Sequence, residues 1–263
     1  MKLISFNIDI FTENSKEVAD FIKKENPDIV AFQEIIRHFD DTVFLKYQSQ
    51  KRIHKIIKDK LKYSFFGPQW ITDMNIKNNK IHREYGGFIE QGNEILSKFP
   101  ITSAVNEHYH KNYQYDFDRT KFYEEDHPRC IQIVKLNING KTLRILNLHG
   151  TYSIDKLDTQ RSIKQSEYIL EIIARENLPT IIVGDFNLLP QTKSIQMLNK
   201  KFRNLTTEYN IKSTRPYINN KKDTGNNIVD YVFVDDSIKI ETFKVTNTDI
   251  SDHLPLILDF DLK

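Results

Sequence analysis

Short apolar runs alternate with segments of helical periodicity from the first residue onward. Residues 2–8 read as a strand. Ser15 is placed to cap a helix from Lys16 to about Glu25, which Pro27 stops. Residues 28–33 form an apolar run of buried-strand type that ends at Glu34. Asp40 or Asp41 can cap a long second helix reaching about Lys62. Residues 92–98 and 101–109 read as strands separated by Pro100. Residues 129–137 and 141–149 predict a hairpin across Asn139-Gly140, a dipeptide suited to the left-handed conformations of a two-residue turn. A helix follows over about 157–176, with Ile163, Leu170 and Ala174 on one stripe. Beyond it come a strand at 181–183, a short helix near 192–199, a polar loop at 219–227, and strands at 228–234, 238–246 and 254–260.

Strand pairs interspersed with single helices predict an α/β fold. The arrangement expected is a four-layered sandwich, two mixed β-sheets packed face to face with helices outside. No Gly/Ser-rich linker, composition break or fixed-period repeat interrupts the chain, so residues 1–263 are expected to form one domain. Residues 110–128, rich in tyrosine and charge, are the longest stretch without a clear element and read as a lid, a binding loop or a structural insert.

Composition narrows the picture modestly. A net charge of +2 is too small to argue nucleic-acid binding by itself. Cys130 is the only cysteine, which excludes an intrachain disulfide and a cysteine-cluster zinc site and fits a reducing compartment. The opening residues lack a signal-type apolar stretch, and no run has the length of a transmembrane helix, so a cytoplasmic protein is expected.

The chemistry gathers where strands meet loops. Gly184-Asp185-Phe186-Asn187 follows the apolar run 179–183, setting an acid and an amide at the mouth of a buried strand. If that segment stays extended, both side chains point to one side. Asn7 and Asp9 follow the first strand, Glu34 the second, and His149 closes the hairpin. Asp230 opens a later strand, and Asp252-His253 precede the last. Carboxylate and amide oxygens suit a hard divalent ion, while the two histidines are free for proton handling.

In order and wording these pieces resemble the endonuclease/exonuclease/phosphatase superfamily. The resemblance rests on residues 5–9 (Ser-Phe-Asn-Ile-Asp), Phe32-Gln33-Glu34, the segment 92–100, Asn147-Leu148-His149, Gly184-Asp185-Phe186-Asn187, Asp230-Tyr231-Val232-Phe233 and Ser251-Asp252-His253-Leu254-Pro255. It implies hydrolysis of phosphodiester bonds with Mg²⁺ or Mn²⁺. Glu34 would be the principal metal carboxylate, with Asn7 beside it, Asp9 near it and Asp252 on the metal side. Asp185 would orient or deprotonate the attacking water, and Asn187 would hold the phosphate or water. His149 and His253 would contact the phosphate and shuttle protons, with Asp230 fixing the ring of His253. Arg215, in its Thr-Arg-Pro setting, would contact substrate.

Departures qualify the likeness. Nuclease relatives often carry a glutamate before the hairpin to support the first histidine; here Glu125 or Asp126 would have to serve. Ile10 stands where AP endonucleases have glycine, and their aromatic wording is missing from residues 214–217, which argues against abasic-site specificity. The substrate expected first is DNA or RNA, favoured by a lysine stripe (Lys51, Lys55, Lys58, Lys62) and by aromatics at Tyr109, Tyr113, Tyr115, Phe117, Phe122 and Tyr123. The stripe also reads as an ordinary solvated helix face, and the aromatics as anchors of an insert. A small-molecule or lipid-headgroup phosphate ester is the alternative enzyme substrate. A non-catalytic nucleic-acid-binding module would require an eroded site.

Overall fold

The computed structural model describes residues 1–10, 12–39, 42–73, 86–115, 127–216 and 228–263. Twelve strands form two six-stranded sheets among these residues. The first sheet has the order β11-β12-β1-β2-β4-β3, from Ile238–Val245, Leu256–Leu262, Lys2–Asn7, Ile29–His38, Phe88–Ser97 and Tyr63–Asp73. The second has the order β5-β6-β7-β8-β10-β9, from Ile101–His110, Arg129–Ile138, Lys141–His149, Thr180–Asp185, Asp230–Val234 and Arg203–Asn204. Each sheet is antiparallel except for one central pair. That pair is β1–β2 in the first sheet and β7–β8 in the second.

Strand alternation sends one face of each sheet inward and the other toward helices. The inner faces share a core in which Leu3, Ala31 and Leu258 pack with Val134, Ile145, Val183 and Val232. Outside the first sheet, Ile4, Val30 and Leu96 meet α1 (Ser15–Glu25) and α2 (Ser49–Ile57) through Val18, Ile22, Ile53 and Ile57. Outside the second, Leu146, Ile182 and Phe233 meet α3 (Gln160–Ala174) and α4 (Lys193–Asn199) through Ile169, Ile172, Ile195 and Leu198. Full burial of each such aliphatic side chain contributes about 1.5–3 kcal/mol. The four expected layers are present, and a one-turn α5 (Leu205–Glu208) completes the elements.

Several local expectations change. The helix near Ser15 is capped at Asn14, whose side chain makes no capping bond; Ser15 is instead the first, fully buried helical residue. The second helix is short: a single 3₁₀ turn at Leu45–Tyr47 precedes α2, which ends at Ile57. Asp40 and Asp41, the proposed caps, lie outside the described residues, as do the polar loop 219–227 and residues 116–126. The strand β3 was not expected, because Gly67-Pro68 interrupts its apolar pattern. A register shift between Pro68 and Trp70 absorbs the proline within an edge strand. The buried stripe of α3 is Ser162, Gln165, Ser166, Ile169 and Ile172, whereas Ala174 is exposed. Its start is a capping box between Thr159 and Ser162. The hairpin forms as expected, with Ile138 opposite Lys141 and positive φ at both Asn139 and Gly140. Lys51, Lys55, Lys58 and Lys62 are all exposed.

Candidate active site

Backbone geometry aims the site residues more than simple strand endings do. Asn7 closes β1, paired in parallel register with Gln33. Glu34 does not end its strand. It sits in a bulge, φ 62°, between Phe32 and Ile35, and β2 continues to His38. On the second sheet His149 lies beside Asp185, and Asp230 faces Asp185 from the other side. Gly184 makes this close approach possible: its φ is 139°, and a Cβ there would lie 2.0 Å from the Leu148 carbonyl oxygen. Asp185 and Asn187 do not converge by extended alternation. Asn187 is left-handed (φ 56°), and its backbone N–H donates to Asp185 Oδ1 at 2.7 Å, an Asx-type turn.

Glu34, His149, Asp185 and Asn187 line one cavity of about 550 Å³. Asn7 Nδ2 joins the two sheets by donating to Glu34 Oε1 at 3.1 Å and to Asp185 Oδ2 at 3.2 Å. The Ile10 N–H donates to Glu34 Oε2 at 2.6 Å. His149 sits between the acids, with Nδ1 3.6 Å from Glu34 and Nε2 3.7 Å from Asp185. On the opposite side His253 Nε2 is 3.5 Å from Asp185. The Nδ1 atom of His253 contacts both Asp230 oxygens, at 3.0 and 2.9 Å. A guanidinium N–H of Arg215 donates to His253 Nε2 at 2.8 Å, and another pairs with Asp252. Asp9 and Asp252 also line the cavity.

The electrostatics follow from burial and crowding. Burial, then the nearby charges of Asp9 and Asp252, push Glu34 up to about 7, against the opposing bonds from Ile10 and Asn7. Burial, with Arg129, His253, His127 and Lys156 adding, holds His149 well below the usual histidine range, so its ring is neutral. Burial depresses His253 as well, but Asp230 and Asp185 overcome it and raise the ring to about 9. The Arg215 contact fits the neutral ring, with Nδ1–H on Asp230 and Nε2 accepting. Taking one proton at Nε2 yields the charged ring that Asp230 and Asp185 stabilise.

Three carboxylates, Asp9, Glu34 and Asp252, face one cavity beside the amide of Asn7. Their mutual repulsion at Glu34 is what a hard divalent cation would relieve, and oxygen donors suit Mg²⁺ or Mn²⁺. His149 Nδ1, buried with no hydrogen-bond partner among the described residues, faces the same acid. The residues therefore fit a divalent ion at Glu34. Asp185, Asp230 and His253 also bring ligand atoms within 4.8 Å of one another. There the short Nδ1 contacts to both Asp230 oxygens mark an oriented His–Asp pair rather than a ligand triad.

Sequence reasoning missed part of the wall. Arg129, His127, Lys156, Tyr152, Trp70 and Gln91 also line the cavity. Lys156 Nζ donates to Asn187 Oδ1 at 2.6 Å and lies 3.9 Å from the centre of the Tyr152 ring. Burial lowers Lys156 to about 8 although Asp185 opposes it. Arg129 offered one signal, an arginine heading the largely apolar run 130–134 of the expected hairpin. Lys156 offered none beyond lying in the loop after His149.

Two mixed sheets, helices on both outer faces and an acid–histidine cavity at one rim make this an α/β sandwich. The chain belongs to the Endonuclease/Exonuclease/phosphatase family, whose sequence profile matches residues 4–253. Comparison with curated proteins returns no significant match. Similar solved structures include the endonuclease/exonuclease/phosphatase from Bacteroides vulgatus, with TM-score 0.71, 14% identity, and coverage of 100% of this chain and 98% of that one. A mannosyl-6-phosphatase from Bacteroides thetaiotaomicron gives TM-score 0.68 at 14% identity, covering 100% of both chains. The human Nocturnin catalytic domain with bound sulfate gives TM-score 0.65 at 14% identity, covering 100% of this chain and 93% of that one. At such identities the likeness establishes the shared fold.

Proposed function

We propose that this protein hydrolyses a phosphate ester with the help of Mg²⁺ or Mn²⁺. The observation that carries the reading is Asn7 bridging Glu34 and Asp185, with His149 and His253 both within 3.7 Å of Asp185. Glu34 and Asn7 would hold the cation, with Asp9 and Asp252 beside them. When bound, it would neutralise charge on the phosphate oxygens and acidify water. Asp185 orients the attacking water and accepts its proton through Oδ2, between the two rings. Asn187, held by Lys156, positions the phosphate. Neutral His149 donates a hydrogen bond to a phosphate oxygen. His253, fixed by Asp230, moves a proton at Nε2, while Arg215 balances charge beside it.

A nucleic-acid substrate is supported by the family and by the half-buried ring of Tyr152 in the cavity wall, on which a base could stack. The exposed lysines near α2 and the residues Tyr109, Tyr113 and Tyr115 are not among those lining the cavity. A small phosphate ester is supported by the cavity of about 550 Å³, which matches small-molecule sites, and by the likeness to a mannosyl-6-phosphatase. The test is turnover of bis-p-nitrophenyl phosphate with and without chelator, followed by a panel of plasmid, single-stranded DNA, abasic duplex, RNA, sphingomyelin and inositol phosphates. Turnover that survives chelation would sink the mechanism. Consumption of a small ester with no nucleic acid cut would decide for the second substrate class.

A further inference from the structure

Two arginines of the second sheet are buried, and they behave oppositely. Arg144 on β7 is 2% exposed. Its guanidinium is satisfied by Thr180 Oγ1 at 3.0 Å and by the carbonyls of Ile172 at 3.3 Å and Ile173 at 3.4 Å. That is a structural arginine, tying β7 to β8 and α3. Arg129, at the start of β6, is 5% exposed and lines the active-site cavity. Its side chain makes no hydrogen bond or ion pair with another described residue, although the charges of Glu34 and Asp185 act on it and partly offset its burial. A buried cation with no direct partner gains from an anion that comes into contact with it.

The other cations of the cavity have direct partners: Arg215 holds Asp252 and His253, and Lys156 holds Asn187 with one of its three N–H donors. The attacking-water and leaving-group machinery uses Asp185, His149, His253 and Asp230. A phosphodiester brings one negative charge on two unesterified oxygens, which in the reading above Asn187 and His149 receive. A phosphomonoester brings a third unesterified oxygen and a second charge. Arg129 is the group left to receive them.

We propose that Arg129, assisted by Lys156, is a substrate-anion subsite that selects phosphomonoesters, so that the protein acts on a terminal phosphate group. This rests on the phosphoester-hydrolase reading above. The reaction balances simply: water adds to phosphorus, the bond from phosphorus to the ester oxygen breaks, and that oxygen leaves as an alcohol after taking one proton. Inorganic phosphate is the other product. Tyr152 and the exposed Ile154 offer the leaving group an apolar wall.

The test compares p-nitrophenyl phosphate with bis-p-nitrophenyl phosphate on the full chain with Mg²⁺, and measures inorganic phosphate binding by calorimetry. Wild-type protein is expected to show a higher kcat/KM for the monoester. Arg129→Met is expected to lower the monoester-to-diester ratio of kcat/KM at least about tenfold, the loss typical of a hydrogen bond to a charged group. Phosphate affinity should fall in parallel, and Arg129→Lys should recover part of both. If Arg129→Met does not fold, Lys156→Met carries the same measurement with a smaller fall expected. A ratio unchanged within twofold in a folded variant, or wild-type preference for the diester, overturns the proposal. Arg129-dependent phosphate binding without turnover of either ester would uphold the subsite and overturn the hydrolytic reading instead.

Discussion

Replacing Gly184 by alanine tests whether close contact between β7 and β8 sets the active-site geometry. The pair runs in parallel register, Leu148 opposite Gly184 and His149 opposite Asp185. An alanine Cβ would sit 2.0 Å from the Leu148 carbonyl oxygen, and φ at this position is 139°. Relief requires the strands to part by roughly 1.4 Å, since ordinary contact begins at 3.4 Å. That movement pulls on the bond from the Gly150 N–H to the Asp185 carbonyl, now 2.6 Å, and widens the gap of 3.7 Å between His149 and Asp185. Backbone strain of about 1–3 kcal/mol and overpacking of about 1–3 kcal/mol give a loss of about 2–6 kcal/mol. At roughly 2–4 °C per kcal/mol, the melting temperature should fall by about 5–20 °C. Gly140→Ala is the control: its φ is 88°, but nothing lies within 4 Å of an added Cβ. Backbone strain alone predicts a loss of about 1 kcal/mol there and a shift of a few degrees. Calorimetric melts of both variants, with turnover measured well below either transition, separate the two effects. Equal melting shifts, with Gly184→Ala turning over at the wild-type rate, would refute the reasoning.

Three further outcomes are expected. Glu34→Gln keeps the shape and Asn7 contact but removes the charge that would hold the cation; kcat/KM should drop by about a hundredfold or more, with a cooperative melt retained, and an unchanged rate would refute its role. Asp230→Asn keeps a partner for His253 but not the charge that orients and raises it. A fall in kcat of roughly 10²–10⁴ is expected, and a loss expressed only in KM would contradict a role in proton handling. Lys156, lowered to about 8, is charged below that pH and neutral above it. The rate should therefore decline as pH rises through about 8, and Lys156→Met should flatten that limb; a wild-type profile level to pH 9.5 would rule it out.

Much of this arrangement was legible because backbone chemistry left marks in the sequence. Asn139-Gly140 announced the hairpin, and polar residues abutting apolar runs marked where strands reach the rim. What stayed hidden depended on tertiary context. Glu34 looked like the end of a strand because periodicity cannot show a bulge, yet β2 runs four residues beyond it. Gly67-Pro68 concealed β3, since a proline tolerated at an edge bulge reads locally as a break. The buried face of α3 carries Ser162, Gln165 and Ser166 beside Ile169 and Ile172, so the stripe read from Ile163, Leu170 and Ala174 lay off its centre, with only Leu170 packed against the core. Arg129 and Lys156 reach the cavity from segments far apart in the chain, and no local pattern joins them.

The single parallel pair in each sheet explains why so many distant residues meet. Two parallel neighbours finish at the same edge, whereas antiparallel neighbours finish at opposite edges. In the first sheet β1 and β2 deliver Asn7 and, through the bulge, Glu34 to one rim. In the second, β7 and β8 deliver His149 and Asp185, and antiparallel β10 begins there with Asp230. Face-to-face packing of the inner surfaces then brings the two rims together, and the bond of 3.2 Å from Asn7 to Asp185 spans the join. Asn7 suits that position because a neutral amide donates to both acids, where a third carboxylate would repel them and a lysine would compete with the cation. The join also pairs the chemistry across the sheets. The first presents the acid and amide that would hold the cation, and in the loop before β12 it presents His253, whose Nδ1 contacts Asp230 of the second.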